Sequence, residues 1–425
     1  MAKLPAARLR KAQIGTLLTF IVMGHAALSS VAWVPEYIDR LGVSFATWGT
    51  IIGFGIVGSI TPLLFASRLM MRFGSRTIIR FANYGGMTML VSLGLTTDPL
   101  VWLFLNMGFN FCMSLLGVSV NSHAVLLQKH ISKNIIGRMH AGWSIGAVGA
   151  AFTGGLATVY LSLEMFLILV AVFTLLVFEF NLRWLLSPSE DGHMDEKATV
   201  VKRKFYQMPK QLWLLAFGLF FGIYPEVAVI DWATVFARDV VGADLALRSL
   251  PFAGFMLGMI AGRLSMSSLA QKFHPHMIAS RGSFLAAGAL LLNVLVSPWA
   301  SGFGQYFGLT STVFFWLLAG LGLSSVSPAF FSAAGHIPGV STSWAVSRLS
   351  LFNSSVSIFA KIAMGALAQG IGVSFAFLFP AVLAIGAGII AAAFARSARK
   401  AELDAAAPLT GPIAIIISDE EMGAK

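Results

Sequence analysis

The chain has 425 residues, of which 57% are hydrophobic and 11% are charged, and its mean hydropathy is +0.81. Soluble globular domains carry about 25% charged residues, so this composition excludes a soluble domain and indicates a membrane protein. The net charge of +11 would suggest a nucleic-acid partner in a soluble chain. Here the cations fall in alternate connections between apolar segments, which argues against nucleic acid.

Apolar segments of helical length recur along the whole chain. A hydrocarbon core of about 30 Å needs roughly 20 helical residues per crossing, and this length predicts twelve transmembrane helices in an all-α fold. The even number agrees with cations at both ends of the chain. The predicted bounds are 13–34, 46–66, 77–96, 99–127, 141–162, 165–186, 211–237, 246–270, 277–297, 306–334, 341–370 and 373–396.

A basic stretch from Ala66 to Arg80 is predicted to be a tight loop between two of these helices. It recurs about 200 residues later, where Arg263 matches Arg68 and Phe273 matches Phe73. The repeat predicts two homologous six-helix bundles. The predicted domains are an N-terminal bundle 1–187, a cytoplasmic linker 188–210, a C-terminal bundle 211–397 and a cytoplasmic tail 398–425.

The placement of lysine and arginine predicts the orientation. Cytoplasmic loops carry an excess of these residues, so both termini are expected in the cytoplasm, in a multi-pass protein of the cytoplasmic membrane. The basic N-terminus runs into an apolar segment without a cleavage pattern, which favours a retained first helix. The single cysteine, Cys112, excludes an internal disulfide.

The basic stretch resembles the loop of the major facilitator superfamily of secondary transporters, whose pattern is Gly-x-x-x-Asp-Arg-x-Gly-Arg-Arg. The matching run is Ser67 to Arg76, with Arg72, Gly74 and Arg76 in place and Met71 where the aspartate belongs. The resemblance implies alternating access around a site between the two bundles. It does not identify a solute, because members of this fold carry sugars, drugs, peptides and ions.

Three further runs are similar to the YbjJ-like branch of that superfamily, near the fucose permeases. The resemblance extends from about Gln13 to Arg396. The matching residues are Glu226, Asp231 and Trp232; Asn121, His123, Ala124 and Val125; and His140, Ala141, Trp143, Ser144 and Gly146.

Ionisable side chains at bilayer depth are costly and usually face a cavity or a partner. The candidates for proton coupling are Glu226, which follows Pro225, and also Asp231 and His25. The alternatives are a static hydrogen bond for Glu226, a membrane-interface position for Asp231 and a neutral bundle histidine for His25. Lys361 is expected to pair with a carboxylate or to meet an anionic substrate.

Other polar residues are candidates for solute contact or gating. Glu179 has a simpler interpretation, a local ion pair with Arg183 four residues on. The substrate-binding candidates are Lys361, Asn121, His123, Trp232 and Asn353, and the gating candidates are Arg68, Arg72, Gly74, Arg76, Arg263, His140 and Arg348. Membrane-interface anchoring is the alternative for Trp232 and for its counterpart in the first half, Trp33.

The histidines do not form a zinc site, because four ligands at binding spacing are absent. The sequence shows no nucleophile–base pair and no phosphate-binding loop that would indicate an enzyme. No cofactor is expected. The sequence therefore favours a proton-coupled secondary transporter of a small polar, sugar-like solute or metabolite, acting as a monomer. The alternatives are a drug or metabolite exporter, and a passive facilitator or transport-incompetent sensor, which the missing loop aspartate favours.

Overall fold

The computed structural model describes residues 4–131, 135–190, 208–335, 337 and 342–406. Helices make up almost all of these ranges, which contain no strand. The α-helices are α1 Ala6–Leu28, α2 Val34–Leu41, α3 Phe45–Leu63, α4 Ala66–Phe73, α5 Ser75–Leu95, α6 Pro99–Ile131, α7 Ile136–Tyr160, α8 Leu163–Leu182, α9 Lys210–Asp239, α10 Leu250–Leu269, α11 Pro275–Ser301, α12 Gln305–Leu323, α13 Val326–Gly335, α14 Thr342–Ile371, α15 Val373–Ala376 and α16 Leu378–Ala406.

Eleven helical stretches in the described part of the chain are long and apolar enough to cross a bilayer. The helix α5 is a further stretch of 21 residues and packs against α6 and α8. It starts with Arg76 and Arg80, which lowers its hydropathy. The predicted all-α membrane fold is confirmed.

The first predicted helix, 13–34, differs from the observed one. It begins at Ala6 and reaches Leu41, with a 3-10 turn at Ser29–Trp33 between α1 and α2. Pro35 explains the interruption, since proline has no N–H to donate and its ring clashes with the carbonyl four residues earlier. That carbonyl belongs to Val31, and it accepts instead from the Val34 N–H at the end of the 3-10 turn.

The basic stretch is a short helix, α4, and not the predicted loop. Gly74 ends it with φ 74°, a conformation that favours glycine. A Cβ at Gly74 would also lie 2.5 Å from Pro188. Arg76 therefore lies in the first turn of α5.

Two ends of the bundle can be distinguished by contacts. Arg8 at the start of α1 lies beside Trp184 and Leu185 after α8, so the helix starts and ends near Arg8 define a terminus face. The opposite face holds the end of α2 and the end of α9, which contact each other. The two halves, α1–α8 and α9–α16, also meet where α3 packs on α14 and where α7 packs on α10.

Arg8 anchors the chain where the first half ends. Its guanidinium donates to Glu190 Oε1 at 3.1 Å and Oε2 at 2.6 Å, and to the carbonyls of Trp184 and Leu185 at 2.6 Å each. Glu190 also accepts from the backbone N–H of Ser187 at 2.8 Å. The first residues of the predicted linker are thereby held on α1, whereas residues 191–207 of that linker lie outside the described residues.

The expected local pair of Glu179 with Arg183 is wrong. Glu179 pairs with Arg80 of α5 at 2.9 Å, while Arg183 donates to the carbonyl of Phe180 at 2.8 Å. The neighbouring helix α5 supplies a cation that sequence spacing within α8 did not reveal.

The anchor at Glu190 predicts a pH dependence of stability. Hydrogen bonds from Arg8 lower the pKa of Glu190 from 4.5 to about 2. A carboxyl whose pKa is lower in the folded than in the unfolded state stabilises the folded protein at any pH above its unfolded-state pKa. This stabilisation is lost as the pH falls through the folded-state pKa. In thermal unfolding, Glu190→Gln should melt below the wild type at neutral pH, and this difference should shrink between about pH 4.5 and 2. An equal difference at neutral pH and at pH 2 would contradict the assignment.

Candidate functional site

A cavity of about 220 Å³ lies between the two halves, and we call it the central cavity. Residues of α1, α2, α3 and α6 line it from the first half, and residues of α9 and α14 from the second. Its polar and aromatic lining includes Tyr37, Trp48, Trp102, Asn106, Asp231 and Lys361. A ligand in this cavity would contact both halves at once.

An ion pair between Lys361 and Asp231 forms one wall of the central cavity. Lys361 Nζ lies 2.8 Å from Asp231 Oδ2 and 3.0 Å from Oδ1, and both side chains are 13% exposed. Burying one charge alone costs several kcal/mol, which a well-formed pair offsets. Tyr224 Oη donates to the carbonyl of Ala360 at 2.7 Å, so a second bond joins α9 and α14 beside the pair.

Three aromatic side chains form the facing wall. The ring centroids of Trp48 and Trp102 are 4.9 Å apart, and that of Tyr37 lies 5.5 Å from Trp102. All three residues are at most 4% exposed. Among the described residues, Tyr37 Oη and the two indole Nε1 atoms have no hydrogen-bond partner. Buried polar groups are normally hydrogen-bonded, so these three suit a ligand that carries acceptor oxygens.

Two amides extend this wall. Asn110 Nδ2 donates to the carbonyl oxygen of Asn106 at 2.8 Å and to its side-chain Oδ1 at 2.9 Å. Both asparagines line the central cavity. The wall therefore combines aromatic rings with neutral polar groups.

The two halves close the space between them at the opposite face. Thr234 Oγ1 of α9 donates at 2.9 Å to the Val31 carbonyl, which also accepts from the Val34 N–H. Arg238 Nη1 lies 2.8 Å from Asp39 Oδ2, and this pair also bridges the halves. We call these contacts, together with the α3–α14 contact, the opposite-face seal.

Glycine lets α3 and α14 approach closely within this seal. A Cβ at Gly49 would lie 2.6 Å from the Lys361 carbonyl oxygen and 2.7 Å from Gly365 Cα. Phe45 N–H also donates to Gln369 Oε1 at 3.0 Å. Small residues permit such backbone contact where lipid gives no hydrophobic drive to association.

A second, larger cavity of about 760 Å³ lies between the halves toward the terminus face. Asn121, Lys129 and His140 line this terminus-face cavity from the first half, and Phe331 and Ser350 from the second. The structure is therefore closed at the opposite face and hollow toward the terminus face.

Glu226 lies near the middle of α9 and lines neither of these cavities. It shares a helix face with Ile230, one turn further on, which lines the central cavity. Within the described ranges its carboxylate has no hydrogen bond or ion pair, and it interacts electrostatically with Arg263. Arg263 of α10 donates to Ser144 Oγ of α7 at 2.8 Å, which connects Glu226 to a contact between the halves.

Several predicted site residues do not line the central cavity. His25 Nε2 bonds Thr153 Oγ1 at 2.9 Å between α1 and α7, and Trp232 is fully buried against Phe45. His123 is buried inside the first half, where it bonds Ser75 Oγ at 2.8 Å. Their solute and proton roles stay predictions. The interface-anchor alternative for Trp232 is wrong, because its ring lies inside the protein.

The gating candidates are spread over several elements. Arg68 and Arg72 are exposed on α4, and Arg348 on α14 lies over the Trp344 ring at 5.4 Å. Asn353 is further along α14 and lines neither the central nor the terminus-face cavity. The structure thus brings Asp231 and Lys361 together, and it brings Arg263 near Glu226 and His140.

Sequence reasoning missed the aromatic and amide wall. Asn106 and Asn110 carried a usable signal, since two amides four residues apart within an apolar helix share one face. Tyr37 carried none, because its position depends on the extension of the first helix to Leu41.

No protein-family model matches the chain. It is 27% identical over 390 residues to "Uncharacterized transporter y4wD" of Sinorhizobium fredii, covering 88% of this chain and 96% of that protein. It is 23% identical over 387 residues to an uncharacterized MFS-type transporter of Yersinia pestis, covering 90% and 96%. The crystal structure of a mutant of the nucleoside transporter NupG is similar, with a TM-score of 0.71, 13% identity, and coverage of 91% of this chain and 98% of that one. The architecture is that of a major-facilitator-type membrane protein.

The ion pair predicts an unequal response to single and double substitution. Asp231→Ala or Lys361→Ala alone leaves a buried charge without its partner and should lower the free energy of unfolding by about 3–5 kcal/mol. The double variant should be more stable than at least one single variant. Thermal unfolding in detergent measures all three.

The exposed Arg80–Glu179 pair is the matched control, with side chains 45% and 37% exposed. Exposed pairs contribute about 0–1 kcal/mol, so Glu179→Ala should have a small effect. Purely additive effects at Asp231 and Lys361 would contradict the pairing.

Proposed function

We propose that this chain is a secondary transporter of the major facilitator superfamily that moves a small polar solute across the cytoplasmic membrane by alternating access. Both termini would lie in the cytoplasm, so the terminus-face cavity opens inward. The two halves, with the boundaries predicted from sequence, would move against each other around the central cavity. The similarity to proteins named as transporters supports this proposal.

The central cavity is the observation that carries the proposal. It is lined by both halves, contains a buried ion pair, and lies beside a seal at one face and a large cavity toward the other. A solute bound there contacts both halves, so its binding free energy depends on how they are arranged. Alternating access requires such a site.

The lining favours a small, uncharged solute with several acceptor oxygens. A volume of about 220 Å³ is below the roughly 300–1,000 Å³ of drug-sized sites. Asp231 and Lys361 neutralise each other, so this pair leaves no unpaired charge in the central cavity to bind an ionic solute. The indole and phenol donors suit hydroxyl oxygens, and the aromatic faces suit the apolar face of a ring. A sugar-like compound has these features.

Proton coupling is assigned to Glu226. Its carboxylate interacts with Arg263, which bonds Ser144 across the halves. Protonation of Glu226 removes its negative charge and therefore its attraction to Arg263. The proton thereby changes the electrostatics of the α7–α10 contact. Asp231 is held by Lys361, which makes it the less available of the two carboxylates.

A passive facilitator is the second candidate. Met71 stands where the superfamily loop carries an aspartate, and a chain that lacks this carboxylate can exchange solute without coupling. Counterflow without concentrative uptake in reconstituted vesicles distinguishes this candidate from the coupled transporter.

Transport in proteoliposomes tests the proposal after the solute has been found. A thermal-shift screen over sugars, organic acids and amphiphilic drugs identifies ligands, because a ligand of the folded form raises its stability. Uptake or efflux should then respond to an imposed pH gradient in the wild type. Glu226→Gln should abolish this response while counterflow persists, because glutamine cannot exchange a proton.

Glu179→Gln is the control, since it removes a carboxylate that pairs with Arg80 away from both cavities. It should keep the response to the pH gradient. Concentrative, gradient-driven transport by Glu226→Gln would rule out the proton role. The proposed solute class would be overturned if organic anions clearly stabilised the protein and no neutral hydroxylated solute did.

A further inference from the structure

A groove on the second half is separate from both cavities between the halves. It has a volume of about 440 Å³ and lies between α10 and α11, with α12 as its floor. A Cβ at Gly262 would lie 2.1 Å from Ser324 Oγ, and one at Gly282 would lie 2.2 Å from the Gly322 carbonyl oxygen. These close approaches hold α12 against both neighbours and leave a recess between α10 and α11.

The side of this groove is apolar and faces outward. Leu269 and Leu285 line it and are 37% and 41% exposed, and Met266 and Met277 contribute flexible side chains. Met266, Met277 and Leu285 belong to spans of membrane-crossing length, so their exposed surface would face acyl chains in a bilayer. From Met277 to Leu285 the groove follows α11 for about 12 Å.

The end of the groove at the terminus face is basic. Arg281 enters α11 six residues after Pro275, about 9 Å along the helix, yet its guanidinium lies 5.5 Å from the centre of the Phe273 ring at the helix start. The long side chain therefore reaches back toward the membrane surface. In the described part of the chain Arg281 has no carboxylate partner, and the exposed Lys272 lies beside Phe273.

The helices α10, α11 and α12 that form the groove carry no acidic residue. No Asp or Glu occurs between Asp244 and Glu402. Phosphate oxygens accept the parallel N–H donors of a guanidinium well. Basic pockets between transmembrane helices on the cytoplasmic side are suited to anionic lipid headgroups.

We propose that this groove binds one anionic phospholipid, with an acyl chain along Met266, Met277 and Leu285 and its phosphate at Arg281. A lipid of the leaflet on the terminus side has its headgroup at the terminus face and its acyl chains deeper in the bilayer. The basic end and the apolar recess of the groove lie in the same order. The lipid would cover the α10–α11 surface of the half that carries Arg263. The proposal does not depend on the identity of the transported solute.

Native mass spectrometry of the full-length protein in detergent tests the site, with phosphatidylglycerol and phosphatidylcholine titrated separately. The wild type should retain phosphatidylglycerol in preference to phosphatidylcholine. Arg281→Gln should weaken phosphatidylglycerol retention about fivefold, which corresponds to about 1 kcal/mol per basic residue. Met266→Trp should fill the recess and reduce retention of both lipids while the charge remains.

Arg183→Gln is the matched control. Arg183 also lies over a phenylalanine, with its guanidinium 4.3 Å from the Phe180 ring centre, but it does not line the groove. Its loss should leave retention within about twofold of the wild type, a margin below 1 kcal/mol. Equal retention of the two lipids by the wild type, or equal losses in Arg281→Gln and Arg183→Gln, would overturn the proposal. Displacement of the lipid by soluble glycerol phosphate alone would show a free-phosphate site and would also overturn it.

Discussion

The buried pair of Asp231 and Lys361 is the constraint on which the central cavity depends. An ammonium ten residues from the end of α14 is tolerable because α9 brings a carboxylate within 2.8 Å. The bond of Tyr224 to Ala360 fixes the same two helices. In the proposed transporter, charge neutrality inside the second half would leave the aromatic and amide wall of the first half to select the solute by shape and hydrogen bonding.

The opposite-face seal combines the close packing of α3 on α14 with polar bonds between the halves. Thr234 donates to the Val31 carbonyl, and Arg238 adds an ion pair to Asp39, whose side chain is 64% exposed. Bonds of this kind contribute about 1 kcal/mol each, far less than a large apolar interface. The polar bonds therefore add little to the free energy of separating the halves, and the α3–α14 packing is the larger part of the seal.

The fold was largely predictable from the sequence, because bilayer thickness fixes the length of each apolar segment. The pairing of Lys361 with a carboxylate was predictable for a similar reason, the cost of a lone charge at bilayer depth. The identity of its partner was not, because Asp231 and Lys361 are far apart in sequence. The short helix α4 was also missed, since an eight-residue basic segment carries no span-length signal.

Sequence spacing failed where tertiary contacts decided the outcome. Glu179 had a cation four residues away, yet α5 supplied the one it binds. Trp232 is of a residue type that often anchors a helix at the membrane interface, but its ring is fully buried against Phe45 of α3. The motif residues Asn121, His123 and His140 lie near the terminus-face end of the first half, whereas the aromatic wall that faces the ion pair carries no motif.

Distance measurements between spin labels on the two halves test whether the halves move against each other around the central cavity. In a Cys112→Ser background, one pair of labels at Thr97 and Gly302 reports the opposite face, and a second pair at Arg72 and Lys272 reports the terminus face. Alternating access predicts two populations, in which the opposite-face distance lengthens as the terminus-face distance shortens when pH or a bound solute is changed. A single unchanging distance on both faces under every condition would contradict it.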